Sequence, residues 1–329
     1  MEDAHIIDCF DDTLPDHTLL CILDGHAGAN TALLISTRLT DIVAATAQFK
    51  EYAELYNREK EQWLSKKSAI SSSSSGKKRN RKQAASSDSN EADADVYTNT
   101  PEQLDLLSAA LVQAYIDADE ELLQMIRAEQ DRAEKLGHVS QQEEGAIGIS
   151  GSTCVTSIVT PSHVLCANVG DSRCVLATGG TCVSLSEDHK PSLPEELERI
   201  EAAGCFEAHD RVNGELAMSR ALGDFQYKEL SLPVSQQAVT CIPDVAVQPR
   251  NRDPITGDEV LVLACDGVWD VMSNPDSLTF IKDVVMNSDS SCLMEEAAGA
   301  LISLALTQGS MDNISAIVVN FNPVNRSSD

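Results

Sequence analysis

Residues 260–270 read VLVLACDGVWD, and this stretch joins a buried strand to the first residues of a candidate site. The run Val260–Cys265 has an apolar side chain at every position. A strand with one face in water alternates apolar and polar residues, so an unbroken apolar run predicts a strand in a sheet that is covered on both faces. The pair Asp266-Gly267 follows this strand directly, and Asp270 lies close behind it.

Acidic residues flank three other predicted strands in the same way. These residues are Asp24, with Gly25 and His26, after Leu19–Leu23; Asp312 before Ser315–Phe321; and Glu2 and Asp3 before the alternating stretch Ala4–Ile7. Taken alone, each of them is more typical of a turn or a cap than of a ligand site. A site is predicted only if all of them meet at one end of the sheets.

Carboxylates that meet in this way repel one another. At about 4 Å and an effective dielectric of about 20, each pair repels by about 4 kcal/mol, so the cluster would require bound cations. Oxygen ligands without clustered Cys or His favour Mg²⁺ or Mn²⁺ over zinc. Two such ions would lower the pKa of a bridging water, and His26 would be the proton donor beside them. Histidine at a strand end is otherwise more often a packing or surface residue.

The remaining pattern predicts an α+β fold. Further strands are predicted at Thr153–Thr160, His163–Val169 and Arg173–Ala177. Apolar residues at helical spacing predict helices around residues 35–42, 104–122, 192–204 and 293–304. The second of these helices has a clear start, with Thr100 as N-cap, Pro101 and a capping box completed by Gln103. Because helices and strands do not alternate strictly, antiparallel sheets covered by helices are favoured over a parallel doubly wound sheet.

Residues 54–100 differ from the rest of the chain in composition. They contain a serine run at 71–75, the basic sequence KKRNRK at 77–82 and a polar, acidic stretch at 86–95. Too little apolar surface is available to offset the entropy lost on ordering, so a disordered low-complexity insertion is predicted. The basic sequence is either a solvated linker cluster or a nuclear import signal. We expect a single domain over residues 1–323, with a tail at 324–329.

Composition restricts the partners and the compartment. The 52 acidic and 24 basic residues give a formal charge of -28, which predicts neither nucleic acid nor an anionic membrane as a partner. Ten cysteines without a CxxC pair or zinc spacing indicate a reducing compartment, so a cytoplasmic and/or nuclear location is predicted. No apolar stretch approaches the ~18 residues of a membrane span, and the first residues do not resemble a signal peptide. A monomer is expected, since nothing demands a second chain.

The sequence resembles the type 2C metal-dependent protein serine/threonine phosphatase family. Several motifs carry this resemblance in family order along nearly the whole chain: MEDAH at 1–5, LDGHAG at 23–28, GST at 151–153, ANVGDSR at 167–173, DHKP at 188–191, RVNG at 211–214, SRALGD at 219–224, ACDGVWDV at 264–271 and DN at 312–313. The resemblance implies a four-layer α/β/β/α sandwich of two antiparallel sheets flanked by helices, with the metals at one end.

The resemblance also implies a role for each candidate residue. Asp24 resembles the ligand that bridges both ions, and Gly25 would offer its carbonyl to one of them. Ligands of the other ion are implied at Asp266 and Asp312, while Glu2 and Asp3 would act directly or through water. His26 resembles the general acid, and phosphorylated proteins are the implied substrates. A lobe at residues 205–240 is implied to shape substrate choice, and Asp171 and Arg173 are expected to brace the structure.

The chain departs from the family pattern in two places. The family has a phosphate-gripping Arg three residues before the Met of MED, whereas this sequence begins at that Met. We therefore expect an amino-terminal truncation that removes the Arg and the first strand, weakens phosphate binding and leaves a sheet edge unpaired. The family often has an Asp where this chain has Gly148. In the family, that Asp and the position of Asp270 form a weaker third metal site, which we do not expect in this chain.

Two functions from different classes follow. The first is hydrolysis of phosphoserine and phosphothreonine without a covalent intermediate. The alternative is a catalytically weak or inactive binding protein with the phosphatase fold, which the missing Arg supports. The set Asp24, His26, Asp266 and Asp312 opposes this alternative, because a scaffold has no need of clustered like charges. A calcium-binding regulator is disfavoured because no DxDxDG loop is present.

Overall fold

The computed structural model describes residues 1–10, 13–74, 96–135, 148–251, 259–287 and 293–321. The strands in chain order are β1 (Ala4–Phe10), β2 (Leu14–Leu23), β3 (Gly25–His26), β4 (Gly151–Ser152), β5 (Cys154–Val159), β6 (His163–Val169), β7 (Arg173–Thr178), β8 (Thr181–Ser184), β9 (Leu222–Gly223), β10 (Asp244–Pro249), β11 (Val260–Ala264) and β12 (Ala316–Asn320). The helices are α1 (Asn30–Ser36), α2 (Leu39–Ala45), α3 (Ala47–Ser74), α4 (Pro101–Lys135), α5 (Pro194–Ala202), α6 (Asp266–Trp269), α7 (Asn274–Asn287) and α8 (Leu293–Thr307).

Two antiparallel sheets form the centre of the molecule. One has the strand order β1-β2-β5-β6-β10, and the other has the order β12-β11-β7-β8. The apolar side chains between the sheets belong to one shared cluster, which includes Ile22 and Val155 of the first sheet and Leu261 and Leu263 of the second. The sheets therefore pack face to face.

Helices cover the outer face of each sheet. Leu19, Cys21 and Leu23 alternate with the residues that face the other sheet, and they pack with residues of α1 to α4. On the second sheet, Val260 and Val262 pack with residues of α7 and α8. Successive side chains of a strand point to opposite faces, so each central strand contributes to two apolar layers. The predicted α/β/β/α sandwich is confirmed, as is the prediction that Val260–Cys265 is buried on both sides.

The predicted helices form with small differences at their ends. The stripe at residues 35–42 is divided between α1 and α2, which separate at Thr37 and Arg38. Helix α4 begins with the expected capping box, in which the Thr100 N–H donates to Gln103 Oε1 at 3.1 Å and the Gln103 N–H donates to Thr100 Oγ1 at 3.4 Å. Two backbone donors that the helix itself cannot satisfy are thereby paired.

The structure differs from the predicted insertion at both of its ends. Helix α3 continues through residues 54–74, and residues 96–100 lead into α4. Tyr56 is fully buried and donates to Asp16 Oδ2 at 2.9 Å, while the Trp63 and Tyr97 rings lie 6.1 Å apart. These aromatic contacts with other elements stabilise a helix that its own composition does not favour. Residues 75–95, which include KKRNRK, and the tail at 324–329 lie outside the described residues. In the described part of the chain, no helix is long and apolar enough to span a bilayer.

Candidate active site

Strand ends from both sheets bring the predicted acidic residues to one end of the sandwich. In the first sheet, Ala4 pairs with Leu23, which sets Asp3 beside Asp24. In the second, Ala264 pairs with Ala316, which sets Asp266 near the residues that precede β12. The Asp24 backbone is held by Thr153, whose N–H donates to the Asp24 carbonyl at 2.9 Å. The tertiary structure therefore collects carboxylates that are far apart in the sequence.

The pKa values of three of these carboxyl groups are raised because the groups are buried and lie close to one another. Burial, followed by the charges of Asp266 and Asp3, raises the pKa of Asp24 to about 9. Burial also raises the pKa of Asp266 to about 6, with further contributions from Asp171, Asp270 and Asp312. The pKa of Asp3 is raised by burial and by the charge of Asp312. The described acidic residues are thus mutual neighbours in a poorly solvated site.

Several oxygens in this cluster have unsatisfied hydrogen-bonding capacity. Both carboxylate oxygens of Asp3 and Oδ1 of Asp266 are buried and have no hydrogen-bond partner among the residues that the structure describes. Buried acceptors of this kind are costly unless a donor or cation satisfies them, and carboxylate oxygens are suitable ligands for Mg²⁺ or Mn²⁺. Within the described ranges, no three His, Cys, Asp or Glu side chains already surround one point as a metal site. The donor set fits a divalent ion in its chemistry, and the side chains would have to turn towards that ion.

Two glycines allow the acidic segments to approach closely. A Cβ at Gly25 would overlap the main-chain oxygen of Glu2, and a Cβ at Gly267 would overlap the main-chain oxygen of Asn313. Glu2 is also fixed by its side chain, which accepts from the Gly28 N–H at 2.8 Å. Each Asp-Gly pair therefore joins a carboxylate to a position where a second segment of backbone packs against it.

His26 belongs to a small third sheet beside the cluster. This sheet has the order β3-β4-β9, and the residue after β9 is Asp224. His26 Nε2 lies 2.7 Å from Asp224 Oδ2, and a Cβ at Gly151 would overlap both side chains. Burial lowers the pKa of His26, but the hydrogen bond and charge of Asp224 outweigh it, so that the pKa is raised overall. The predicted proton donor is therefore paired with a buried carboxylate.

Two aspartates at this site have a larger role than their sequence motifs predict. Asp171, which was expected only to brace the structure, contributes to raising the pKa values of both Asp24 and Asp266. It is 3% exposed, and its Oδ2 lies 2.5 Å from Lys190 Nζ. Asp224 is the second such residue. Both lie in motifs that the sequence displays, ANVGDSR and SRALGD, but nothing local distinguishes them from structural aspartates.

Arg173 has the bracing contacts expected of it. Its guanidinium donates to both carboxylate oxygens of Asp188, at 2.7 and 2.8 Å, and lies over the Trp269 ring at 5.9 Å from the centroid. It thereby ties the start of β7 to α6, the short helix that begins at Asp266. The positions of Asp24, Gly25, Asp266, Asp312, Asp3, Glu2 and Asp270 agree with one shared site, and their roles as ligands remain predictions.

Residues 205–240 form a lobe with a small core of its own. Val212, Leu216, Tyr227 and Val239 pack together there, and Ile200 of α5 packs against them. A buried ionic network then attaches this lobe to α5. Glu196 Oε2 lies 2.6 Å from Arg199 Nη2, and Glu196 Oε1 lies 2.6 Å from Arg220 Nη2. Since Arg220 comes shortly before β9, this network also holds the segment that carries Asp224.

Comparison with known proteins gives consistent results. The family model for Protein phosphatase 2C matches residues 61–314. Protein phosphatase ppm-1.A of Caenorhabditis elegans is 31% identical over 326 residues, which cover 98% of this chain and 56% of the relative. Probable protein phosphatase 2C 21 of Oryza sativa subsp. japonica is 42% identical over 180 residues, which cover 54% of this chain and 51% of the relative. The chain thus spans about half the length of these two curated relatives.

Solved structures show the same fold. A phosphatase from a pathogenic strain of Toxoplasma gondii superposes with a TM-score of 0.65 at 22% identity, over 98% of this chain and 88% of that one. A sex determining protein of C. elegans superposes with a TM-score of 0.60 at 19% identity, over 96% of this chain and 60% of that one. The family match covers most of the chain, and the fold agrees with it. This chain belongs to the protein phosphatase 2C family.

Proposed function

We propose that this chain hydrolyses phosphoserine and phosphothreonine in proteins, with two Mg²⁺ or Mn²⁺ ions at its carboxylate cluster. The observation that carries the proposal is the environment of Asp24, which is buried among like charges from Asp266, Asp3, Asp171 and Asp312. Such crowding opposes folding in the absence of a cation and is useful only when a cation binds. Family membership supports the same reaction.

The residues of the site have distinct tasks in this proposal. Asp24 would bridge the ions, with the Gly25 carbonyl on one of them. Asp266 and Asp312 would hold the other, and Glu2 and Asp3 would bind directly or through water, with Asp270 at the edge. When bound, the ions would lower the pKa of a water molecule and aim it at phosphorus. Because the donors are hard oxygens, the site would select Mg²⁺ or Mn²⁺ over softer metals.

His26 would protonate the leaving group. As the water oxygen bonds to phosphorus, the bond from phosphorus to the serine or threonine oxygen breaks, and its electron pair stays on that oxygen. The imidazolium of His26 supplies the proton that this oxygen takes up, and the proton lost by the attacking water goes to solvent. The products are the free hydroxyl side chain and inorganic phosphate, and His26 acts as the general acid.

Phosphate release from a phosphothreonine peptide, with Mn²⁺ or with EDTA, tests the proposal. Asp266→Asn should lose at least about 100-fold in activity, because a ligand is removed. Asp105→Asn, an exposed site on α4, makes the same change in charge and should retain activity. Activity that does not respond to EDTA would contradict the metal mechanism.

Thermal unfolding provides a second measurement that does not depend on turnover. Mn²⁺ should raise the melting temperature of the wild type, because an ion that binds only the folded state at 100 times its Kd adds about 2.7 kcal/mol to the free energy of unfolding. The melting temperature of Asp266→Asn should be almost unchanged by Mn²⁺. In EDTA the variant should be the more stable of the two, since one of the repelling charges is gone. Metal-induced stabilisation with no activity on any phosphopeptide would instead indicate the alternative, a binding protein with the phosphatase fold.

We also infer a reducing compartment, the cytosol or the nucleus. The cysteines among the described residues are free thiols, and several are fully buried in the core. Buried free thiols are typical of proteins that do not depend on an oxidising environment. We propose phosphorylated proteins as the partners and a monomer as the working form. Microscopy of a tagged chain and light scattering would test these two expectations.

A further inference from the structure

The two ring nitrogens of His26 lie in different environments. Nε2 is 2.7 Å from Asp224 Oδ2. Nδ1 is buried and has no hydrogen-bond partner within the part of the chain that the structure describes. A proton on Nε2 is therefore shared with Asp224, which leaves Nδ1 as the ring nitrogen that has no partner among the described residues.

Asp224 is held in place by the surrounding structure. It is 1% exposed, and its backbone is left-handed with φ 53° and ψ 37°. Just before it, the Gly223 N–H donates to Asp119 Oδ1 at 2.8 Å, and the same oxygen accepts from Lys228 Nζ at 2.7 Å. Helix α4 therefore supports the turn that carries Asp224. Beneath the pair lies Gly151, where any larger side chain would push His26 and Asp224 apart.

We propose that Asp224 is a positioning residue for His26, which it holds through Nε2 so that Nδ1 delivers the proton to the leaving oxygen. This inference rests on the proposed function. In the step itself, the bond from phosphorus to the leaving oxygen breaks with its electron pair on oxygen, and the Nδ1 proton passes to that oxygen. The ring is left neutral, with its remaining proton on Nε2 and hydrogen-bonded to Asp224. A carboxylate that is hydrogen-bonded to one ring nitrogen of His fixes the tautomer of the neutral ring.

Leaving-group dependence separates this role from a structural one. The alkoxide of threonine is a strong base and needs a proton as it leaves, whereas p-nitrophenolate is stable without one. Asp224→Asn keeps the shape of the side chain, and Asn tolerates a left-handed backbone. With Mn²⁺ present, kcat on a phosphothreonine peptide should fall about 10-fold to 100-fold, and kcat on p-nitrophenyl phosphate by less than about 3-fold. An equal loss on both substrates would overturn the inference.

A double-mutant cycle with His26→Ala tests whether Asp224 acts through His26. If it does, adding Asp224→Asn to His26→Ala should change kcat on the phosphopeptide by less than about 2-fold, because the group that Asp224 positions is already absent. A second large loss in the double variant would overturn the inference. Gly151→Ala, which leaves both side chains in the chain but separates them, should reproduce the substrate selectivity of Asp224→Asn. Wild-type inactivity on both substrates would overturn the proposed function and this inference with it.

Discussion

Replacing Glu196 by Gln should destabilise the protein strongly, although the residue lies outside the carboxylate cluster. The residue is 2% exposed, and its carboxylate accepts from Arg199, Arg220 and Ser219, the last at 2.5 Å. Gln would keep the shape but lose the charge, so that two largely buried guanidinium groups would lose their shared counter-ion. Removing one partner of a buried ion pair typically lowers the free energy of unfolding by about 3–5 kcal/mol.

The pKa of Glu196 gives a second estimate of the same quantity. Burial alone would raise this pKa, but the hydrogen bonds from Arg199 and Arg220 lower it from 4.5 to about 2. A lowering of this size corresponds to roughly 3 kcal/mol. Because the pKa in the folded state is the lower one, this stabilisation is present above pH 4.5 and is lost as the pH falls towards 2. Arg199 also donates to main-chain carbonyls, so we expect the lower end of the range, about 3 kcal/mol.

Urea unfolding at pH 7 provides the assay. The matched control is Glu198→Gln, an exposed position on the same helix, which should change the free energy of unfolding by no more than about 0.5 kcal/mol. The difference between wild type and Glu196→Gln should become smaller as the pH is lowered through 4.5, because the wild-type carboxylate is then protonated in the unfolded chain. A loss below about 1 kcal/mol at pH 7, or one that does not depend on pH, would refute the reasoning.

Two further substitutions test close packing at the site and in the core. Gly25→Ala should raise the Mn²⁺ concentration needed for half-maximal activity and lower the free energy of unfolding by about 1–3 kcal/mol, because the new Cβ meets the Glu2 carbonyl. The control is Gly299→Ala, where a new Cβ meets no atom within 4 Å. Equal behaviour of the two variants would contradict the prediction. Tyr115→Phe removes a buried hydroxyl that lies 2.8 Å from Thr156 Oγ1 and should cost about 1–3 kcal/mol in urea unfolding without changing the response to Mn²⁺. A loss below about 0.5 kcal/mol would show that this hydroxyl contributes little.

Local sequence determined most of the secondary structure of this protein. The apolar run at Val260–Cys265 and the capping box at Thr100 and Gln103 act over a few residues, and the structure forms the strand and the helix start that they predict. Helix α3 beyond residue 54 was not foreseeable in this way. Its stability comes from contacts such as Tyr56 with Asp16 and Trp63 with Tyr97, which depend on where distant segments pack.

The residues of the candidate site also fall into two groups, those that local sequence indicates and those that only tertiary packing brings to the site. An acidic residue at a strand end is visible in the sequence, so Asp24, Asp266, Asp312 and Asp3 could be named. That Asp171 joins them and that Asp224 pairs with His26 was decided by the packing of two sheets and by the small sheet of β3, β4 and β9. Hydrophobic periodicity is a short-range property of the chain, whereas repulsion among carboxylates exists only once folding has brought them together.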